Sequence, residues 1–482
     1  MFAVAHVLGM MTAVFGSTFL LPIVCSLVMR DGMVMVFVAS ALINVFVGLL
    51  LATATRRYRR ELKPRDGFLL VTLSWVIMSV SAAVPLLIGL PGLSFTDGYF
   101  EAMSGLTTTG ATILTGLDHL APSLNLWRCA LHWFGGIGII VLAVAVLPLL
   151  GVGGMQLYKA GTPGPVKDEK LTPRITETAK ALWLTYAGIT ALGIGALRLA
   201  GMSWFDAICH AFSVMGLGGF SSYDANIAHF QSANIEFVLI VLMVAASLNF
   251  SRHFMAFRHL TLRPYFEDSE AKAILLAMLL SVLGVALLLF LHGTYADFGE
   301  SLRHAAFNVV SMASTTGFVS QNYELWPAFA PVWMLFLSCV ICSTGSTGGG
   351  IKMFRTLLLW RQAVREMKLL VHPSAVMPIK IAGMVIPDRI VYSVLAFIFL
   401  YFLTVMALTF TLLISGLDLV TSFSAIIACV NNAGPGLGVV GPLRNYQSLN
   451  DFQTWTCVAA MLLGRLEIFS VLVLVTPTFW RK

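Results

Sequence analysis

Charge is scarce in this chain. Of its 482 residues only 11% are Asp, Glu, Lys or Arg, against 58% hydrophobic, and the mean hydropathy is +0.86. A water-soluble domain of this length carries about a quarter charged residues, so a soluble fold is excluded. Short alternating strands are lacking too: the apolar runs are about 20 residues long, which suits membrane-crossing helices and not a barrel of ~10-residue strands. The amino terminus, MFAVAHVLGMM, lacks a basic segment, and its apolar run continues to Val28; it reads as a retained helix and not as a cleaved leader. Cysteine is too rare and odd in number for a disulfide framework. The seven, at 25, 129, 209, 339, 342, 429 and 457, lie in or beside apolar runs, and the Cys339–Cys342 pair reads as packing, not as a redox or zinc site. No G-x-G-x-x-G follows a strand pattern, so the chain has no nucleotide-binding domain of its own and is expected to hold no organic cofactor. His132, His210 and His304 are scattered and read as packing residues. No convergent His, Asp, Glu or Ser cluster points to an enzyme. The net charge of +7 lies in loops and calls for no nucleic acid.

What is present is a stretch out of keeping with its surroundings. Residues 95–112, FTDGYFEAMSGLTTTGAT, sit between apolar runs at 68–90 and 131–150. They are too short and too interrupted to span a bilayer. Non-helical backbone at membrane depth is tolerated only where protein buries it or where it lines a watery cavity. A half-helix running into Thr107-Thr108-Thr109-Gly110 is therefore the pattern of a re-entrant pore loop.

Basic residues set the expected topology. Two helices, residues 4–28 and 34–53, precede RRYRRELKPRD, whose Arg56, Arg57, Arg59, Arg60, Lys63 and Arg65 place that loop and the amino terminus in the cytoplasm by the positive-inside tendency. Residues 91–130 carry Asp97, Glu101, Asp118 and His119 with Arg128 as the one full cation, and belong outside. The next loop, with Lys159, Lys167, Lys170, Arg174 and Lys180, is inside again.

The same unit recurs. Residues 181–199 lead through GLGGFS (216–221) to a helix at 237–250 and a basic loop at 252–263. Residues 274–292 lead through STTGF (314–318) to a helix from Trp333 and a basic stretch with Lys352, Arg355, Arg361, Arg365 and Lys368. Residues 390–414 lead through NNAGPG (431–436) to a helix near 454–474 and the tail Arg481-Lys482, also expected inside. Gly110, Gly219, Gly317 and Gly434 are spaced 109, 98 and 117 apart, and six residues before each stands Ser104, Ser213, Ser311 or Ala428. The division is residues 1–66 for the helix pair and basic loop, then units at 67–158, 159–263, 264–371 and 372–482. The fold expected is an all-α polytopic membrane protein with four parallel helix, pore loop, helix repeats around one pseudo-fourfold pore.

Such a pore suits a cation. Rings of backbone carbonyls can replace the water around K⁺, glycine opens backbone angles closed to other residues, and threonine adds hydroxyl oxygens without charge. Asp97, Glu101 and Asp206 near the outer mouth are expected to raise local cation concentration. A lone TTTGAT would be read as helix packing; four matched copies favour the pore.

These residues resemble the superfamily of K⁺ transporters containing the Trk, Ktr and HKT proteins, and most closely its bacterial TrkH-type members. The motifs are SGLTTTGAT (104–112), GLGGFS (216–221), STTGF (314–318), STGSTGGGIK (343–352) and NNAGPGLG (431–438). The resemblance implies a K⁺ selectivity filter formed by Gly110, Gly219, Gly317 and Gly434. Adjoining carbonyls would come from Thr108 and Thr109, Leu217 and Gly218, Thr315 and Thr316, and Asn432 and Ala433. Glycine in the first loop resembles the K⁺-selective form, although the second and fourth loops lack the Thr-Thr pair. It further implies K⁺ uptake across a bacterial inner membrane, a homodimer, and docking of a cytosolic TrkA-type ring that binds NAD and ATP. The basic loops also suit contact with anionic membrane lipid.

Two elements are candidates for gating. Residues 343–352, with Gly345, Gly348, Gly349 and Gly350, would cost about 1 kcal/mol per glycine in a helix and read as a break beneath the filter. They fail the phosphate-loop pattern because Ile351 separates Gly350 from Lys352. The resemblance implies an intramembrane loop that blocks the cavity; a packing kink is the alternative. Arg465 lies 31 residues after Gly434, as Gly348 does after Gly317. If its helix starts near Phe452, Arg465 is roughly 20 Å inward. There an arginine costs at least ~2.5 kcal/mol and faces a cavity or a partner. Glu467 is on another face and is a poor partner. Arg465 either repels K⁺ from the cavity or bonds loop carbonyls. The competing function is an ion-coupled (H⁺ or Na⁺) secondary K⁺ transporter or a less selective monovalent cation transporter; inverted repeats would be its mark.

Overall fold

Four short helices organise the chain, and each begins at a residue that caps it. Ser94, Ser203, Asp297 and Asp418 accept hydrogen bonds from first-turn N–H groups of Phe95–Leu106, Trp204–Gly216, Phe298–Ala313 and Leu419–Asn431. Such side chains satisfy donors that a helix start leaves free, which decides where these buried segments start. The computed structural model describes residues 2–60, 62–145, 171–381 and 383–481, with side chains omitted at 64, 140–145 and 171–176. Lys159, Lys167, Lys170 and the end of the helix expected at 131–150 lie outside the described residues.

Each short helix is flanked by a long helix before it and a second helix after it. The long ones are Pro64–Gly89, Leu171–Leu199, Ser269–Leu291 and Asp388–Ile414; the second ones are Pro122–Ala145, Ala233–Ser247, Phe329–Val340 and Asp451–Arg465. Among the described residues six helices are long and apolar enough to cross a membrane, and up to eight if two bent pairs each count as one. A hairpin of Lys380–Ile381 and Met384–Val385 is the only strand pairing described.

Packing closes the four units into a ring. Each short helix lies against the second helix of the preceding unit: Trp204–Gly216 on Pro122–Ala145, Phe298–Ala313 on Ala233–Ser247, Leu419–Asn431 on Phe329–Val340, and Phe95–Leu106 on Asp451–Arg465. The last contact joins the fourth unit to the first. Outside the ring, Phe2–Phe15 and Val34–Ala54 pack together at Gly9 and Gly48, where a Cβ on Gly9 would stand 2.6 Å from the Ala52 nitrogen. Small residues permit this backbone approach where lipid offers no hydrophobic drive for association. Asp31, in the turn between the helix Leu20–Met29 and Val34–Ala54, accepts the Ser123 N–H at 2.8 Å and so ties the pair to the ring.

Several sequence expectations need correction. The helix expected at 131–150 begins at Pro122, so Arg128 is a helical residue and not a loop cation. The helix expected at 237–250 stops at Ser247 and bends by 102° into Phe250–His259, so the supposed basic loop is largely helical. The helix expected at 454–474 ends at Arg465 and resumes at Phe469 after a bend of 115°. Glu467 and Ile468 have φ of 55° and 49° there, a conformation costing roughly 1–2 kcal/mol for L-residues, which tertiary contacts must hold. Arg355, Arg361, Arg365 and Lys368 lie on the helix Met353–Val371, Arg355 buried in its first turn, and Lys352 is buried just before it.

Candidate functional site

All four short helices end in the same turn. In each, a residue with left-handed backbone follows the last turn: Thr108, Leu217, Thr315 and Asn432, with φ of 54°, 55°, 60° and 54°. The next residue's N–H returns to the carbonyl five positions earlier: Thr109 to Ser104 at 2.8 Å, Gly218 to Ser213 at 3.0 Å, Thr316 to Ser311 at 2.8 Å, and Ala433 to Ala428 at 2.8 Å. This is the Schellman helix ending, in which glycine normally occupies the left-handed position. Four non-glycine residues held there are a repeated strain, and such strain concentrates at functional sites.

Two residues beyond each left-handed residue comes the invariant element of the repeat. Gly110, Gly219, Gly317 and Gly434 have φ of 82°, 81°, 79° and 80°. A Cβ on Gly110 would collide with the carbonyl oxygen of Gly218, one on Gly219 with that of Thr316, and one on Gly317 with that of Ala433. On Gly434 it would stand 2.7 Å from the carbonyl of Thr109. Each glycine thus abuts the equivalent carbonyl of the next loop, and the fourth returns to the first. All four glycines line one cavity of about 270 Å³. The twelve residues named for the loops are therefore brought together in one ring.

Side chains of the short helices staple the outgoing limb of each loop. Glu101 accepts from the Ile113 N–H at 3.0 Å, Asn308 from the Ser320 N–H at 3.2 Å, and Ser424 from the Leu437 N–H at 2.8 Å; His210 bonds Ser221 Oγ at 2.9 Å. Glu101, His210 and Asn308 each stand nine residues before their glycine, a register visible on aligning the repeats but not recognised as a staple. Glu101 is also paired with Arg128 at 2.7 Å, both 0% exposed, and Arg128 reaches the Ser221 carbonyl at 3.2 Å. The expected role of Glu101 and Asp206 as mouth charges is therefore wrong. Glu101 is neutralised behind the first loop, and Asp206 accepts from Ser203, Ser222 and Tyr223 hydroxyls. Asp224 is the carboxylate that lines the cavity.

The threonine hydroxyls are also directed elsewhere. Thr109 bonds Thr107 at 2.8 Å and receives Asn432 Nδ2 at 2.9 Å, and Thr316 bonds Ser314 at 2.7 Å. Thr108 Oγ1 and Asn432 Oδ1 are buried without a partner among the described residues; apart from these, backbone carbonyls are the ring's available oxygens. The three histidines pack as expected: His132 stacks on Phe220 with centroids 4.1 Å apart, and His304 on Tyr295 at 4.9 Å. All seven cysteines are free.

On the side of the ring away from the cavity lies the glycine-rich segment, between Phe329–Val340 and Met353–Val371. The Gly349 N–H donates to Thr315 Oγ1 at 3.2 Å, and a Cβ on Gly349 would collide with the Asn431 carbonyl. On Gly348 it would meet Cys342 Sγ and stand 3.0 Å from Thr315 Oγ1. Gly345 and Gly350 have φ of 87° and 77°. These glycines let the segment lie directly against the short-helix ends. Arg465, 3% exposed, donates to the Thr347 carbonyl at 2.7 Å and to the Gly135 carbonyl at 2.9 Å. Glu467 instead pairs with Arg355. Of the two readings of Arg465, bonding to loop carbonyls is the one its contacts favour. Lys352, the last residue of that segment, donates to the Gly348 carbonyl.

Comparison with known proteins agrees with this architecture. Residues 33–482 match the family described as TrkH, cation transport protein. The chain is 44% identical over 483 residues to the Trk system potassium uptake protein TrkH of Vibrio parahaemolyticus, covering 100% of this chain and 99% of that protein. It is 42% identical to the TrkH protein of Escherichia coli K12, covering 100% and 99%, and 37% identical to TrkG of the same organism, covering 99% and 98%. The crystal structure of the potassium transporter TrkH from Vibrio parahaemolyticus superposes with a TM-score of 0.92 at 41% identity, covering 100% of this chain and 99% of that one. A multi-pass helical membrane protein with this ring, matched over nearly its full length, belongs to the TrkH family of cation transport proteins.

Proposed function

We propose that this chain carries K⁺ uptake through the ring of four loops. The observation that carries the reading is the cyclic contact of Gly110, Gly219, Gly317 and Gly434 with the carbonyls of Gly218, Thr316, Ala433 and Thr109. A dehydrated K⁺ needs several oxygens at once, and four equal backbone walls supply them without a charge that would bind too tightly for release. The carbonyls of Thr108, Leu217, Thr315 and Asn432 add a second layer, and the short helices direct their partially negative ends toward the ion. Relatives named for potassium uptake support K⁺ as the cargo.

In this reading the units divide at 66, 158, 263 and 371. The segment 343–352, with Gly345, Gly348, Gly349 and Gly350, is the closed barrier beneath the ring, and Arg465 holds it there. The chain works in a bacterial inner membrane with both termini cytoplasmic, as a homodimer, and a cytosolic TrkA-type ring that binds NAD and ATP moves the barrier. The test is flux through the purified chain in liposomes with K⁺, Rb⁺ and Na⁺ under a set pH gradient. Reversal potentials following K⁺ and Rb⁺, and indifferent to the pH gradient, are expected. Equal permeability to Na⁺ rejects the filter, and reversal that tracks pH rejects uncoupled conduction.

A further inference from the structure

The glycine-rich segment is held at both ends by one carboxylate that lies outside the ring. Glu270 Oε1 accepts the Thr344 N–H at 2.7 Å, just before Gly345, and the Phe354 N–H at 3.1 Å, two residues after Lys352. Thr344 and Phe354 bracket the segment's four glycines. Glu270 is 7% exposed, and among the described residues no Lys, Arg or His lies within ion-pair distance of it. The nearby cations are committed elsewhere: Arg252 to Asp268, Arg355 to Glu467, Lys352 to the Gly348 carbonyl and Arg465 to that of Thr347. Its charge is met instead by two helix starts. Glu270 lies in the first turn of Ser269–Leu291, and Phe354 lies in the first turn of Met353–Val371. Free N–H groups and the positive end of the dipole favour a carboxylate in both places.

We infer that Glu270 is the latch of the glycine-rich segment, a positioning residue that caps Met353–Val371 from another helix and keeps the barrier closed. Lys352, with φ of 78°, has no capping side chain to offer that helix, so the borrowed carboxylate is its only side-chain cap described, beside the Cys342 carbonyl that accepts the Met353 N–H at 2.8 Å. The geometry makes the barrier and the helix a single moving part. A force that draws Met353–Val371 away takes the Phe354 N–H with it and unseats the Thr344 N–H from the same oxygen. One oxygen takes both N–H groups, so both ends of the segment depend on a single acceptor. This inference rests on the segment being the closed barrier.

The test uses the full chain in liposomes without any partner, comparing Glu270→Ala and Glu270→Gln in the parent and in a variant lacking residues 345–350. In the parent, Glu270→Ala raises K⁺ flux by about tenfold, and Glu270→Gln raises it less because the amide oxygen still accepts. In the shortened variant neither substitution adds anything. A second readout is Cys342, 1% exposed under the segment, kept as the sole cysteine. Glu270→Gln speeds its labelling by a membrane-impermeant thiosulfonate several-fold. Unchanged flux and labelling in folded protein, or an equal rise in the shortened variant, overturns the latch. If shortening alone raises no flux, it is the barrier reading that fails.

Discussion

Two levels of the molecule obey different rules. At the level of the glycines the four units are alike: φ stays within 79–82° at the glycines and 54–60° two residues before them. One helix-length further along, at the ends of the second helices, the units part: two bend sharply and one opens into a long segment. The second unit bends over Leu248 and Asn249, the third opens into the segment between Val340 and Met353, and the fourth breaks over Leu466, Glu467 and Ile468. Equal walls suit the proposed coordination of one central ion by carbonyls from all four loops. The barrier proposed for the glycine-rich segment has no such requirement. One unit can supply it, and the other units then need only shape themselves around it, as Arg465 of the fourth and Ser247 of the second do.

The largest effect that could break this contrast is expected at the ring. Gly110→Ser places a Cβ on the Gly218 carbonyl at a backbone angle hostile to serine, and the K⁺ to Na⁺ permeability ratio should fall by at least about tenfold. A mutant with full discrimination, read from reversal potentials, would reject the filter assignment. Next is the buried pair behind the ring. Glu101→Gln strands Arg128 and should cost about 3 kcal/mol of stability, measured as lost thermal stability in detergent. An unchanged melting temperature would mean that the pair does not brace the first two loops.

On the other level, Arg465→Ala should raise K⁺ flux several-fold with selectivity intact, since it frees the Thr347 carbonyl and leaves the ring alone. Equal or lower flux in a folded mutant would remove Arg465 from the gate. The smallest effect sharpens the ring itself. Thr109→Val deletes hydroxyl bonds to Thr107 and Asn432 but keeps the Thr109 carbonyl, so about 1 kcal/mol of stability should go while selectivity stays. Lost selectivity with normal folding would show that hydroxyls, and not carbonyls alone, face the ion.

Much of the ring was legible in the residues, for a local reason. A Schellman turn and a glycine at positive φ are settled within about seven residues, so they leave a mark such as SGLTTTG or VMGLGG that recurs at each copy. Arg465 was legible as an anomaly, because charge inside an apolar run is rare. The staples were half legible: Glu101, His210 and Asn308 share a register, but the fourth unit shifts the task to Ser424, one position earlier. Arg128 was misread because a cation near a predicted loop looks exposed until a partner 27 residues away is seen to bury it.

By itself the sequence determined the membrane class, the four units, the glycines that close the ring and the family to which they belong. Those follow from hydropathy, helix ends and backbone angles, which each segment carries within itself. Only the tertiary structure decided where the second helices break, which carboxylates are spent behind the loops, and that Glu270 holds a segment 74 and 84 residues away. Those depend on which polar group finds which partner across the packed units. In an interior without water that choice is made by the assembled neighbours and not by any stretch of chain alone.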